Sequence, residues 1–184
     1  MMSGNERLKS KGLPSPLIGV LLLLGSLGLS APAKAGFSSF YPLPWPELEY
    51  SHSYLQTSIW TTHFSPDPEH NNTQNLISLE VHNPDRWLAG VSWFKNSFDQ
   101  PTWYFYVGHE FPLWRSEQDL EVRAKLSAGF IRGYKGEYQN KIPFNDFGVA
   151  PAALPSIGVR WRAVEADVIV FGVAGMMVTA GMRF

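Results

Sequence analysis

From Tyr54 to Phe184 the chain breaks into eight short apolar-rich segments joined by turn chemistry, and this segmentation limits the fold more than any other feature. The segments run 54–64, 74–82, 86–97, 102–111, 119–131, 147–161, 165–173 and 175–184. Their separators are rich in Pro, Asn, Asp and Gly, as in Pro66-Asp67-Pro68, Asn83-Pro84-Asp85, Asp99-Gln100-Pro101 and the stretch from Gly133 to Asp146. None shows a long 3.6-residue period with caps at both ends. Several alternate instead, as do Trp87, Ala89, Val91 and Trp93, and Leu120, Val122, Ala124, Leu126, Ala128 and Phe130. Evenly spaced strands with turn signals predict an all-β sandwich or barrel.

Three features favour an eight-stranded antiparallel transmembrane β-barrel over a soluble sandwich or a lipocalin-like barrel. The segments reach the ~9–11 residues that cross a bilayer when tilted. The separators alternate between fairly short (83–85, 112–118, 162–164) and longer ones that include 65–73 and 132–146, as short turns at one rim and long loops at the other require. The chain ends in an alternating strand, Met176, Val178, Ala180, Met182, Phe184, which resembles the signal read by barrel-assembly machinery. Trp87, Trp114 and Trp161 fall at strand ends on the short-turn rim, where an aromatic girdle belongs.

The N-terminus predicts export. Arg7, Lys9 and Lys11 precede an apolar run from Leu17 to Leu29, and Ala33-Lys34-Ala35 gives an A-x-A cleavage pattern. That is a signal peptide over 1–35 rather than a span, which needs ~20 apolar residues. Residues 36–53 then read as an N-terminal segment rich in Pro and aromatics, lying at a membrane interface or serving as a linker, before a barrel over 54–184. The chain has 16 acidic and 15 basic residues, a balance that argues against nucleic acid. It has no Cys, which excludes disulfides, thiolate metal sites and a cysteine nucleophile.

A barrel of eight strands is barely wide enough for packed side chains or one small ligand. Segments 102–108, 147–159 and 167–173 read as apolar on both faces, which predicts a partly dry interior with room for a hydrocarbon chain, or else a filled core. Pro151 and Pro155 lie inside the sixth segment and lack the N–H a ladder needs, so they predict a gap through which a lipid chain enters, or else a bulge that helps curvature.

Among the five histidines no pair has the H-E-x-x-H spacing of a zinc site, and no G-x-S-x-G elbow is present. His63 and Ser97 end the first and third segments, which run in the same direction. Both therefore reach one mouth, where an imidazole and a hydroxyl permit base-assisted attack on an ester. Arg132, Lys135 and Lys141 place cations on the long loop of that rim, suited to phosphate groups or simply solvated.

Phe94-Lys95-Asn96-Ser97-Phe98 is similar to the Phe-Lys-Asp-Ser-Trp motif of the lipid A palmitoyltransferases of the Gram-negative outer membrane. The resemblance continues at Gly108 and Glu110, at Ile142-Pro143-Phe144 and Leu154-Pro155-Ser156-Ile157-Gly158, and at the final Met182-Arg183-Phe184. It implies that a palmitoyl chain moves from a phospholipid donor to lipid A in the outer leaflet, by a monomer in the bilayer and without cofactor or metal. It implies catalytic roles for His63 and Ser97 and a chain-length floor at Gly108. Asn96 stands where the family has aspartate, and an amide orients a histidine without balancing its charge. Asp67, Asp99 or Asp146 are the carboxylates that could supply that charge. The rival readings are a non-enzymatic barrel (a structural protein, adhesin or narrow channel) and a lipid A deacylase, whose His-x-Ser-Asn run is not seen here.

Overall fold

The computed structural model describes residues 49–65 and 70–184. The expected signal peptide and most of the segment 36–53 lie outside the described residues. The strands are β1 (His52–His63), β2 (Ile77–His82), β3 (Trp87–Lys95), β4 (Pro101–Arg115), β5 (Leu120–Arg132), β6 (Ala150–Trp161), β7 (Val164–Val170) and β8 (Gly175–Arg183). They form a closed antiparallel barrel in sequence order, with β1 pairing β8 from Tyr54↔Arg183 to His63↔Gly175. Phe184 is bound at the seam, exchanging backbone hydrogen bonds with Ser53.

The eight expected segments are the eight strands, and the differences at their ends have local causes. β2 starts three residues late because Asn75 takes φ +48° and breaks the extended run. β6 starts at Ala150 because Asn145–Gly148 is a turn, with Gly148 at φ +74° and its N–H on the Asn145 carbonyl. β4 runs on to Arg115 past Pro112, which a register shift between Pro112 and Trp114 accommodates as a bulge does. The long loop after β5 contains a 3-10 helix, Gly136–Lys141.

Alternation sorts the side chains. Leu55, Leu79, Val81, Trp103, Phe105, Val107, Leu126, Phe130, Ile157 and Val159 face outward and are exposed, as are Trp114 and Trp161 at the short-turn end. Exposed apolar patches on water-soluble monomers rarely exceed a few hundred Å². A closed sheet wrapped in such residues is the arrangement of a membrane barrel, in which every strand has a neighbour on both sides.

Inside, the barrel has two halves. The short-turn half is filled by charge, which corrects the expectation of two-sided apolar strands. The inner face of β7 carries Glu165 and Asp167, and that of β4 ends on Glu110. Arg123 is fully buried and pairs with Glu165, with Asp167 (2.8 Å) and with Glu110 (3.3 Å). Arg160 bonds Glu121 (2.6 Å), and Lys125 bonds Glu80 (2.9 Å). Glu80 also accepts from the Tyr106 hydroxyl at 2.9 Å, and Gly90 leaves the space for that ring, since a Cβ there would collide with it. The loop half is apolar and aromatic, with Leu76, Phe94, Tyr104, Leu154, Phe171 and Met177 around a cavity of about 50 Å³ that has Glu80, Tyr106 and Lys125 at its polar side.

Two ladders stop short. β1 pairs β2 only as far as Thr57↔Ile77, and β6 pairs β7 only as far as Ser156↔Ile169. Over residues 150–155, β6 is laddered to β5 alone. Pro151 and Pro155 lie in that stretch on its outward face, so the gap expected from missing N–H groups is there. Leu154, Ser156, Ile169 and Phe171 flank it and also line the cavity.

Removing one member of a buried ion cluster strands the others. Arg123→Met should therefore cost about 3–5 kcal/mol. Urea unfolding of the protein in lipid vesicles, followed by tryptophan fluorescence, measures it. A midpoint equal to wild type would show that the cluster does not hold the lumen together.

Candidate active site

Ser97 stands on the tight turn between β3 and β4. Asn96 builds that turn: its Oδ1 accepts the N–H groups of Phe98 (2.9 Å) and Gln100 (3.1 Å), and Asp99 follows at φ +59°. The turns at the opposite rim are made the same way. Asn83 Oδ1 accepts Trp87 N–H (2.8 Å) with Arg86 at φ +68°, and Ser116 Oγ accepts Gln118 and Leu120 N–H (both 3.2 Å) with Asp119 at φ +63°. Asn96 is thus a turn former, fully buried and without a hydrogen bond to His63. This corrects its expected role as the partner of that histidine.

His63 is the last residue of β1. Beyond Thr57 the β2 side of β1 is taken by the irregular segment 70–76, which is held on both flanks. Leu76 bonds Ser58 and Thr57 of β1, Gln74 accepts Lys95 N–H of β3 (2.8 Å), and Asn71 donates its N–H to the Ser97 carbonyl (2.7 Å). Held between the two strands, this segment carries Asn72 to His63.

The result is a three-residue relay. His63 Nε2 lies 2.7 Å from Ser97 Oγ, and His63 Nδ1 lies 2.8 Å from Asn72 Oδ1. The amide oxygen can only accept, so it fixes the proton on Nδ1 and leaves the Nε2 lone pair to receive the Ser97 proton. A nucleophile, a base and an amide that orients the base recur on unrelated folds, the Cys-His-Asn proteases among them. Sequence reasoning missed Asn72 because it lies in a stretch without periodicity. The one available signal was an amide nine residues after His63 in a connection that must return past β1. The alternative carboxylates do not serve His63: Asp99 binds Lys95 (2.9 Å) and Asn71 (3.3 Å), Asp146 is exposed, and Asp67 lies outside the described residues.

His70 was also missed. Its ring lies 4.4 Å from that of His63 and 5.6 Å from Phe98, with Nδ1 buried and unpartnered. From the other side the loop after β5 closes on the site. Gln100 is tied to the Lys135 backbone in both directions (3.0 and 3.2 Å), Tyr138 stacks on Phe98 at 4.1 Å, and Lys141 Nζ sits over Phe98 at 5.6 Å. Lys135, Lys141 and Arg132 are otherwise exposed at this rim. The loop also delivers Tyr134, whose ring packs edge-on to Phe98 at 6.3 Å.

Gly108 faces inward but does not line the cavity. Leu88 covers it, with Cδ1 3.1 Å from where a Cβ would stand. The cavity side near the charged half is instead formed by Glu80, Tyr106 and Lys125, a correction to the expected floor.

No family model and no curated protein matches this chain. Among solved structures, the Yersinia pestis outer membrane protein Ail, determined in a phospholipid bilayer nanodisc, matches with 13% identity over 72% of this chain and 99% of its own, at a TM-score of 0.37.

The two asparagines should separate in experiment. Asn72→Ala should slow phosphonylation of Ser97 by an alkyl fluorophosphonate at least tenfold while leaving the urea midpoint unchanged. Asn96→Ala should lower the midpoint, by about 1–3 kcal/mol for backbone groups left unsatisfied. Equal labelling of wild type and Asn72→Ala would remove Asn72 from the relay.

Proposed function

We propose that this protein is an acyltransferase of the outer membrane that moves an acyl chain of palmitoyl length from a phospholipid to lipid A. The observation that carries the reading is the Ser97–His63–Asn72 array, set at one rim over an apolar cavity bordered by the open β6–β7 seam. The resemblance around Phe94–Phe98 and the rim cations Lys135 and Lys141 supply the acceptor side, a phosphorylated lipid.

In this reading the donor enters with its acyl chain through the seam beside Pro151 and Pro155. Ser97 Oγ attacks the ester carbonyl while His63 Nε2 takes its proton. The tetrahedral adduct collapses, the ester C–O bond breaks, and the lysophospholipid alkoxide leaves with the proton from His63. A lipid A hydroxyl then repeats the sequence on the Ser97 ester, giving its proton to His63, and Ser97 is restored. Asn72 keeps the imidazole in the tautomer that both halves need.

The cavity sets a requirement. At about 50 Å³ it is smaller than the ~150 Å³ that admits benzene, so a long chain enters only as the side chains at the cavity mouth, such as Phe94 and Phe171, turn aside. The same narrow, charge-filled lumen favours the second reading, a non-enzymatic structural barrel.

Mass spectrometry of lipid A from cells with and without the protein separates the two. The expected result is a palmitate-sized mass gain that is lost in Ser97→Ala and in His63→Ala. An unchanged lipid A would overturn the proposal. Ser127→Met, aimed into the cavity between Tyr104 and Leu154, should shift the product toward shorter chains, and an unchanged chain length would remove the cavity from the path of the acyl group.

A further inference from the structure

Among the described residues, the three most exposed large apolar side chains are Phe147 (95%), Phe144 (78%) and Val173 (70%). All three belong to the open seam. Phe144 and Phe147 lie on the loop that leads into β6, and Val173 lies on the turn that leaves β7. These are the two strands whose ladder ends at Ser156↔Ile169. The three side chains therefore flank the loop-side mouth of the unpaired stretch.

The loop fixes its two phenylalanines in place. Asn145 is buried, and its Nδ2 donates to the Tyr134 carbonyl (2.9 Å) and the Gln139 carbonyl (3.0 Å). Gln139 Nε2 donates in return to the carbonyls of Asn145 and Asp146 (both 3.1 Å). Gly148 N–H closes the turn on the Asn145 carbonyl (3.0 Å). Phe144 takes φ +60°, a backbone conformation that strains a bulky residue. Water offers nothing to offset that strain, whereas a hydrocarbon phase takes both rings out of water.

Their height matches the edge of that phase. Trp161 ends β6 at the short-turn girdle. From there the twelve residues of the strand, at ~3.3 Å each and tilted by ~35–45°, rise about 26–30 Å along the barrel axis to Ala150. The apolar band of such a barrel is ~25 Å tall, so it ends near the start of β6, next to Phe147. The lipid-facing surface runs up to that point without a break: Phe130, opposite Pro151 in the ladder, is exposed, as are Pro151 and Val149. The same loop carries the exposed cations Lys135 and Lys141, which complement lipid phosphates in charge.

We propose that Phe144, Phe147 and Val173 form a lipid-docking site, inserted at the headgroup–hydrocarbon boundary of the loop-side leaflet, that seats acyl chains of that leaflet at the mouth of the β6–β7 seam. The occupant is lipid because the three side chains continue a surface that already faces hydrocarbon and stand on elements that also carry cations. The inference rests on the barrel and its seam and does not need Ser97 to be a nucleophile.

The chain has no Cys, so one introduced thiol carries one probe. Phe144→Cys, Phe147→Cys and Val173→Cys, with Glu137→Cys as the exposed control on the 3-10 helix, are each labelled with a bimane fluorophore. The full-length proteins are refolded into vesicles of phosphatidylcholine and phosphatidylglycerol. Quenching is compared between lipid nitroxides placed near the headgroup, lipid nitroxides placed near the chain end, and iodide in the water. The expected result at the three seam positions is strong quenching by the shallow nitroxide and little by the other two, which places the labels within about 5–10 Å of the boundary. At Glu137→Cys iodide quenches instead. Iodide quenching at the seam positions equal to that of the control would overturn the proposal, since the patch would then face water. Labels shielded from every quencher, with energy transfer between donor-labelled and acceptor-labelled molecules, would also overturn it, since a second copy would then cover the patch. Adding Phe144→Ser and Phe147→Ser should lower lipid quenching of the Val173→Cys label across the seam, and unchanged quenching would show that the rings seat no lipid there. Lipid A mass is a separate readout, so each of these failures leaves the acyltransferase reading standing.

Discussion

Arg123 is the pivot of the barrel interior. It is fully buried, and it collects Glu110, Glu165 and Asp167 from β4 and β7 around one guanidinium on β5. A buried cation without partners would be untenable, and so would three buried carboxylates. Each therefore requires the others, and their strands must meet in one register for the set to form. The outer surface is almost uniformly apolar and discriminates little between registers. The inner charges do discriminate, because a slip by one residue would send every one of them to the lipid face.

This cluster divides the lumen. On its short-turn side the space is filled by ion pairs. On its other side Leu76, Phe94, Leu154, Phe171 and Met177 surround free volume, and the β6–β7 ladder gives out alongside. The open stretch and the cavity are neighbours because both follow from β6. Its prolines face outward where a ladder would run, and between them Leu154 faces the cavity. The His63–Ser97 pair lies at the same end, at the tips of β1 and of the β3–β4 turn.

The eight strands were legible because turn residues separate them and several alternate, and alternation survives any ambiguity about which face is inside. Their ends were less so. Asn75 and Gly148 stop β2 and β6 through positive φ, which an asparagine or a glycine permits without announcing. His63 and Ser97 could be paired because β1 and β3 run in parallel senses, so their far ends share a rim. Asn72 could not be found that way, since its position depends on how an irregular segment lies between two strands. Asn96 misled because it adjoins Ser97 in sequence, while its oxygen faces back into the turn.

The three side chains of the array come from three places: the end of β1, the segment before β2 and the turn after β3. No two of them are near neighbours in sequence, and no hairpin of the chain contains the set. A chain whose first three strands have not yet paired therefore has a serine and a histidine without each other. The array is thus assembled by the register among the first three strands and draws on no residue from the rest of the ring.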